Sequence, residues 1–138
     1  MRTFIITLTA FLLLGITSCG TKSKENSSET MKTYTQISME QAITMMGEEK
    51  DYIILDVRTP EEFYEKHIPN AINVPNETIG TEEISELPDK DQLILVYCRS
   101  GNRSKQASEK LVELGYSNVY EFGGINSWPG ETVSGQTE

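Results

Sequence analysis

The chain has 138 residues, which suits a single domain, and it carries 21 acidic against 12 basic residues for a net charge of −9. A chain this acidic is a poor binder of nucleic acid and is repelled by an anionic lipid surface. Its two cysteines and one histidine cannot supply a structural zinc site. No phosphate-binding or dinucleotide-binding glycine motif occurs, so neither a metal nor a cofactor is expected.

A secretory-type segment opens the chain. Met1–Thr3 is positively charged and Phe4–Ile16 is mostly apolar, which is too short for a comfortable membrane span and suits a secretory signal. Ile16-Thr17-Ser18-Cys19 then resembles the lipobox of bacterial lipoproteins. This implies a signal peptide over 1–18, lipid on Cys19 and a membrane-anchored protein of the bacterial cell envelope, facing the periplasm or the exterior. The alternatives are a free Cys19 thiol or a short uncleaved anchor.

The composition changes after Cys19. Residues 19–32 are polar with almost nothing to bury, which predicts a flexible tether. The folded domain is expected over 33–130, and the polar tail 131–138 is expected to fray.

Short apolar runs alternate with helical patterns over the rest of the chain. This alternation predicts an α/β domain with a central, mostly parallel sheet flanked by helices in three layers. The predicted strands are Tyr34–Ile37, Tyr52–Leu55, Ala71–Val74, Leu93–Tyr97 and Val119–Phe122. The predicted helices are Met39–Met46, one starting at Thr59-Pro60-Glu61-Glu62, a weaker one over Asn76–Glu86, and Lys105–Leu114, followed by a short turn of helix over Ile125–Trp128.

Several single residues carry specific expectations. Ser38 and Gln41 form a capping-box pattern, and Gly47 is expected to stop the first helix. Phe63 and Tyr64 are expected to pack the second helix down. His67 is expected to tie a loop to the backbone rather than to act as a base, and Trp128 is expected to be a packing anchor. Gly115 is expected to end the helix Lys105–Leu114. The residues expected to be buried are Ile79, Ile84 and Leu87.

The segment Cys98-Arg99-Ser100-Gly101-Asn102-Arg103-Ser104 connects a predicted strand to a predicted helix. A cysteine therefore lies at the carboxyl end of a strand and before a helix N-terminus, where ligands bind in open α/β sheets. Backbone N–H groups in such a loop form an anion-binding concavity and are expected to lower the pKa of the Cys98 thiol. The alternative is a buried cysteine that acts only as a small hydrophobic residue.

The other residues of this loop fit the same chemistry. Gly101 permits a left-handed backbone, Arg103 offers a charged fork that matches an oxyanion, and Ser104 is expected to cap the helix. Arg99, Arg103 and Lys105 are basic, and no acidic residue occurs between positions 98 and 108. In an acidic protein, this basic patch favours a nucleophilic cysteine that acts on a small anion.

Several motifs in this order resemble the rhodanese-like sulfurtransferases. The loop from Cys98 to Ser104 is similar to the active-site loop of that family, and Leu55–Phe63 and His67–Pro75 resemble its first signature and the following segment. The C-terminal motifs are Gly115-Tyr116, Val119-Tyr120 and Gly123-Gly124 with Trp128. The resemblance covers about residues 33–130. It implies that Cys98 is catalytic, that Asp56 and Arg58 support the loop, and that substrate is bound by Arg99, Ser100, Gly101, Asn102, Arg103 and Ser104.

The resemblance also implies a reaction. The Cys98 thiolate attacks a sulfane sulfur, as in thiosulfate, and a thiol or cyanide then removes the sulfur from the resulting persulfide. If Cys19 is lipidated, no second cysteine can resolve a bond at Cys98, which argues against a thioredoxin-like oxidoreductase. Two alternatives stay open: a phosphatase or arsenate reductase, whose loops usually have five residues between Cys and Arg rather than four, and a non-catalytic persulfide carrier or binding module.

Overall fold

Five strands and three helices account for the regular structure of the computed structural model, which describes residues 33–80 and 82–136. The strands are β1 (Thr35–Gln36), β2 (Tyr52–Asp56), β3 (Ile72–Asn73), β4 (Leu93–Cys98) and β5 (Val119–Gly124). The helices are α1 (Met39–Glu48), α2 (Pro60–Glu65) and α3 (Asn102–Glu113), and a 3₁₀ turn covers Ile125–Ser127.

The strands form one sheet in the order β1-β5-β4-β2-β3, and every pairing in it is parallel. The central strand β4 is buried on both faces because its side chains alternate between two apolar clusters. Ile94, Val96 and Cys98 pack in the cluster that contains α3, whereas Leu95 and Tyr97 pack in the cluster that contains α1 and α2. The predicted α/β architecture is therefore confirmed.

The starts of α1 and α2 follow the sequence signals. Ser38 accepts a hydrogen bond from the Gln41 N–H in a capping box, and Thr59 does the same for Glu62. The expected stop at Gly47 is wrong, because α1 continues to Glu48; a glycine near a helix end costs only about 1 kcal/mol relative to alanine. Tyr64 was expected to be packed but is 58% exposed.

The segment 76–86 is not a helix in its described residues. It forms turns in which the N–H of Ile79 donates to the Asn76 carbonyl at 3.3 Å, and Gly80 has a left-handed φ of +94° that interrupts helical geometry. The expected burial is nevertheless confirmed, since Ile79, Ile84 and Leu87 are each at most 5% exposed. The spacing of the apolar residues therefore predicted correctly which residues are buried, but the helix that it predicted is wrong.

Helix α3 begins three residues before the predicted start at Lys105. Gly101 is its N-cap in the left-handed region, with φ +112° as the sequence predicts, so the expected cap at Ser104 is wrong. Ser104 instead lies in the first turn with its hydroxyl directed inward. At the other end, Gly115 has φ +96° and donates to the Val112 carbonyl at 3.0 Å, which confirms that it ends the helix.

Two aromatic contacts confirm the structural interpretations of His67 and Trp128. The buried His67 ring stacks on Phe63 at 3.8 Å, and its Nδ1 donates to the Phe63 carbonyl at 2.8 Å. Trp128 packs near Phe122 at 6.3 Å between ring centroids. His67 thus fixes the end of α2, far along the chain from the loop at Cys98.

Part of the C-terminal tail is hydrogen-bonded to the domain where it is described. Val133 and His67 exchange two backbone hydrogen bonds of 2.9 Å, and the Gly135 N–H donates to the Tyr64 carbonyl at 2.8 Å. The polar composition of the tail did not indicate this backbone pairing.

The predicted signal peptide at 1–18 and the predicted tether at 19–32, with Cys19, lie outside the described residues. Within 33–80 and 82–136, no helix is both long and apolar enough to cross a membrane.

One ion pair joins α2 to α3 beside the loop. Arg103 Nη1 and Nη2 contact Glu62 Oε2 and Oε1 at 2.7 and 2.9 Å. The hydrogen bonds from Arg103 hold the pKa of the Glu62 carboxyl at about 2, well below its ordinary value of 4.5. This bidentate contact fixes the first turn of α3 against the second helix.

Gly124 is expected to tolerate no side chain. A Cβ on Gly124 would lie 2.1 Å from the Arg99 carbonyl oxygen, so Gly124→Ala must displace the backbone of the loop. We expect a loss of about 1–3 kcal/mol of unfolding free energy in urea titrations. Gly47→Ala is the matched control, because a Cβ there meets nothing within 4 Å and should stabilise α1 by about 0.5–1 kcal/mol. Equal stability of the two variants would contradict the clash.

The Glu62–Arg103 pair predicts a pH dependence. Because the folded-state pKa of Glu62 is depressed, the stabilisation is complete above the ordinary pKa and is lost as pH falls from 4.5 to about 2. Glu62→Gln cannot titrate, so its unfolding free energy should be lower at neutral pH and should fall less steeply over that range. Glu61→Gln removes the adjacent carboxylate, which is in neither ion pair of the described residues, and should keep the wild-type slope.

Candidate active site

The sulfur of Cys98 lies at the carboxyl end of the central strand. Cys98 is the last residue of β4, is 1% exposed and is the free cysteine of the described chain. The pairing of β4 with β5 shifts after Val96, so that Cys98 lies opposite Gly124. The absence of a side chain at Gly124 lets the Arg99 carbonyl approach the strand, which turns the chain sharply after the cysteine.

Hydrogen-bond donors surround this sulfur. The Gly101 N–H donates to Cys98 Sγ at 3.0 Å, and Ser104 Oγ lies 3.4 Å from the same atom. Burial alone raises the pKa of the Cys98 thiol, but the Ser104 hydroxyl and the N–H groups of Ser104, Gly101 and Ser100 together outweigh it, so the pKa is lowered. The loop therefore favours a thiolate, as the sequence predicts.

A buried carboxylate lies behind the loop. Ser104 Oγ is 2.6 Å from Glu121 Oε1 and also lies 3.0 Å from the Gly101 carbonyl oxygen. Glu121 is fully buried, and its Oε1 accepts the Gly123 N–H at 2.8 Å. Sequence reasoning missed Glu121; the available signal was an acidic residue two positions from Val119, on the buried face of an apolar strand.

The two arginines of the loop have different surroundings. Arg103 is held by Glu62, whereas Arg99 is exposed and is in neither ion pair of the described residues. Arg99 lines a cavity of about 290 Å³. The other residues that line it are Arg58, Glu62, Glu65, Lys66, Ile125 and Asn126. Of the remaining loop residues, Ser100 and Asn102 are exposed, so the structure brings only part of the predicted binding set to the sulfur.

Asp56 and Arg58 form a buried ion pair next to this cavity. Arg58 Nη2 contacts Asp56 Oδ2 at 2.6 Å and also donates to the Lys66 carbonyl at 2.5 Å. Among the described residues, neither side chain has a hydrogen bond to the loop of Cys98. The pair instead braces the connection from β2 through α2, which forms one wall of the cavity.

These elements match known proteins in sequence and in structure. Residues 38–131 match the rhodanese-like domain. The thiosulfate sulfurtransferase PspE of Escherichia coli is 39% identical over 71 residues, covering 51% of this chain and 68% of that protein. A sulfurtransferase of Allochromatium vinosum is 37% identical over 94 residues, covering 67% of this chain and 86% of that protein.

A solved structure agrees with these relatives. A structure described as rhodanese with anions from E. coli has a TM-score of 0.56 and 36% sequence identity, and the match covers 61% of this chain and 99% of that one. The parallel sheet with its cysteine loop, the domain match and the sulfurtransferase relatives together show that the chain belongs to the rhodanese-like family.

Proposed function

We propose that this protein is a sulfurtransferase that moves a sulfane sulfur from thiosulfate or a persulfide donor to a thiol or cyanide through a Cys98 persulfide. The observation that carries the proposal is the buried Cys98 sulfur with the Gly101 N–H at 3.0 Å and a lowered thiol pKa. The names of two relatives, one described as a thiosulfate sulfurtransferase and the other as a sulfurtransferase, support the same reaction class.

The reaction balances without a cofactor. The Cys98 thiolate attacks the sulfane sulfur of thiosulfate, a new S–S bond forms, and the old S–S bond breaks with its electron pair on sulfite. The negative charge moves to the outer sulfur of the persulfide, where loop N–H groups offer hydrogen bonds. A thiolate or cyanide then attacks that outer sulfur and restores the Cys98 thiolate.

Arg99 is the residue best placed to attract an anionic donor. It is exposed on the cavity next to the loop, where Arg58 is already paired with Asp56. Arg103 has its guanidinium paired with Glu62 at 2.7 Å, which neutralises its charge and leaves Arg99 as the arginine expected to bind the donor.

The ion pair between Arg103 and Glu62 also argues against phosphatase chemistry. A phosphate-transfer loop needs an arginine fork free to hold the phosphoryl oxygens, and this fork is bidentate with Glu62. Only four residues separate Cys98 from Arg103, which leaves a loop whose Gly101 N–H already contacts the sulfur. These contacts fit a single added sulfur atom better than a phosphate.

Intact mass spectrometry tests the persulfide directly. We expect the full chain to gain the mass of one sulfur atom with thiosulfate and to lose it with cyanide, while thiocyanate appears. Cys98→Ser keeps a hydrogen-bonding group of similar size but no nucleophilic sulfur, so it should show neither the adduct nor thiocyanate. Both proteins should first be shown to have the same circular dichroism.

The outcomes separate the candidates. Thiocyanate formation by Cys98→Ser at the wild-type rate would overturn the covalent mechanism. A stable adduct that neither cyanide nor thiols remove would support a persulfide carrier instead. Hydrolysis of p-nitrophenyl phosphate that depends on Cys98, without any sulfur adduct, would support the phosphatase alternative.

We also propose that the chain is an envelope lipoprotein anchored through lipid on Cys19. The support is the charged start, the apolar run and the small residues before Cys19. In a bacterial host, the wild-type protein should fractionate with membranes and resist salt extraction, because lipid rather than charge would hold an acidic chain.

Cys19→Ser tests this anchor. It removes the lipidation site and leaves the apolar run intact, so the protein should keep its precursor mass and incorporate no labelled fatty acid. Ser18→Ala is the control, since a small residue stays before the cysteine. Incorporation of fatty acid by Cys19→Ser, or none by the wild type, would contradict lipidation at this residue.

A further inference from the structure

A continuous set of polar contacts runs from the Cys98 sulfur into the protein. Cys98 Sγ lies 3.4 Å from Ser104 Oγ, and Ser104 Oγ lies 2.6 Å from Glu121 Oε1. The three side chains are each at most 1% exposed. They belong to β4, α3 and β5, so tertiary packing alone brings them together.

The hydroxyl of Ser104 has one proton, and the Gly101 carbonyl oxygen at 3.0 Å can accept it as well as these two partners. When it donates to a Glu121 carboxylate at 2.6 Å, the shortest of these contacts, it does not donate to sulfur, and a Cys98 thiol can donate to Ser104 Oγ. If it donates to a Cys98 thiolate, Glu121 must carry a proton and donate it to Ser104 Oγ. The hydrogen bonds around Ser104 therefore couple the protonation of Cys98 to that of Glu121.

The burial of Glu121 affects where the negative charge of this group of side chains can lie. Its Oε2 has no hydrogen-bond partner among the described residues, and neither ion pair of that part of the chain includes it. A charge on Glu121 would have the Gly123 N–H at Oε1 but no donor at Oε2, and a charge on Cys98 Sγ has the Gly101 N–H at 3.0 Å, so each group can hold the negative charge. The unpartnered oxygen distinguishes Glu121 from an ordinary strand residue.

We propose that Glu121 is a positioning residue that exchanges a proton with Cys98 through Ser104, so that the pair holds one negative charge. In this step the Cys98 S–H bond breaks and its proton binds Ser104 Oγ. The original Ser104 proton passes to Glu121 Oε1. The charge moves from carboxylate to sulfur, and no proton enters or leaves the buried site.

The other groups that face Glu121 do not replace this exchange. Tyr34, ahead of β1, lies close enough that the carboxylates of Glu109 on α3 and of Glu121 act on it. Burial raises the pKa of Tyr34, and these two charges raise it further, so the phenol stays neutral at pH 7. Cys98 is then the titrating partner that hydrogen bonds connect to Glu121.

The inference rests on the proposed role of Cys98 as the nucleophile, so its test avoids sulfur transfer. The thiolate absorbance of the full chain is measured against pH, with Cys98→Ser as the blank that subtracts Cys19 and tyrosine. Coupled groups that interact by more than about 1 pK unit titrate in two steps. We expect two steps in the wild type and one in Glu121→Gln, which keeps the side-chain shape but cannot ionise.

Two buried serines on one face of α3 provide matched controls. Ser104→Ala removes the bridging hydroxyl and should lower the thiolate fraction at pH 7, and Ser104→Thr should restore it. Ser108→Ala removes a fully buried hydroxyl that has no hydrogen-bond partner in the described chain and should keep the wild-type titration.

Two outcomes of the thiolate titration would contradict the shared proton. A single step in the wild type, or two steps retained in Glu121→Gln, would overturn the shared proton even if sulfur transfer occurs through Cys98. If Glu121→Gln does not fold, the ¹³C chemical shift of the Glu121 carboxyl in the wild type, followed over the same pH range, tests the proposal instead. It must change over both steps of the thiolate titration, and a signal that is constant across them overturns the proposal.

Discussion

The structure depends on favouring the charged form of a sulfur in a site that water barely reaches. Cys98 is 1% exposed, and burial raises the pKa of its thiol, so the lowered pKa requires nearby donors that compensate for burial. The Gly101 N–H at 3.0 Å and the inward hydroxyl of Ser104 supply that compensation. Both require the chain to turn immediately after β4, and the rest of the site is arranged around that turn.

Two glycines make this turn possible for different reasons. Gly101 takes φ +112°, a conformation that a side chain would strain, and starts α3 directly after the cysteine. Gly124 lies on the neighbouring strand, where a Cβ would be 2.1 Å from the Arg99 carbonyl oxygen. Gly101 allows the backbone conformation of the loop, and Gly124 leaves room for the Arg99 carbonyl. The geometry of the site therefore depends on β5 as well as on β4.

The sequence predicted what depends on near neighbours along the chain. The strand before Cys98, the left-handed Gly101, the caps at Ser38 and Thr59 and the parallel sheet follow from local patterns. The residues 76–86 were misjudged, because buried apolar positions recur in turns as well as in helices. Ser104 was misjudged because its hydroxyl turns toward the sulfur and Glu121 rather than toward the helix end.

The features that were missed are contacts between elements distant in sequence. The predicted role of Arg103 in binding a substrate anion did not include its ion pair with Glu62, which lies 41 positions away in the chain. No spacing rule connects an acid in α2 with a base in α3, and the same holds for Glu121 and Ser104. These pairs divide the charges of the site by depth. Arg103 is paired with Glu62, Arg99 stays exposed beside the cavity, and the buried Glu121 behind Ser104 is left to share one proton with the sulfur.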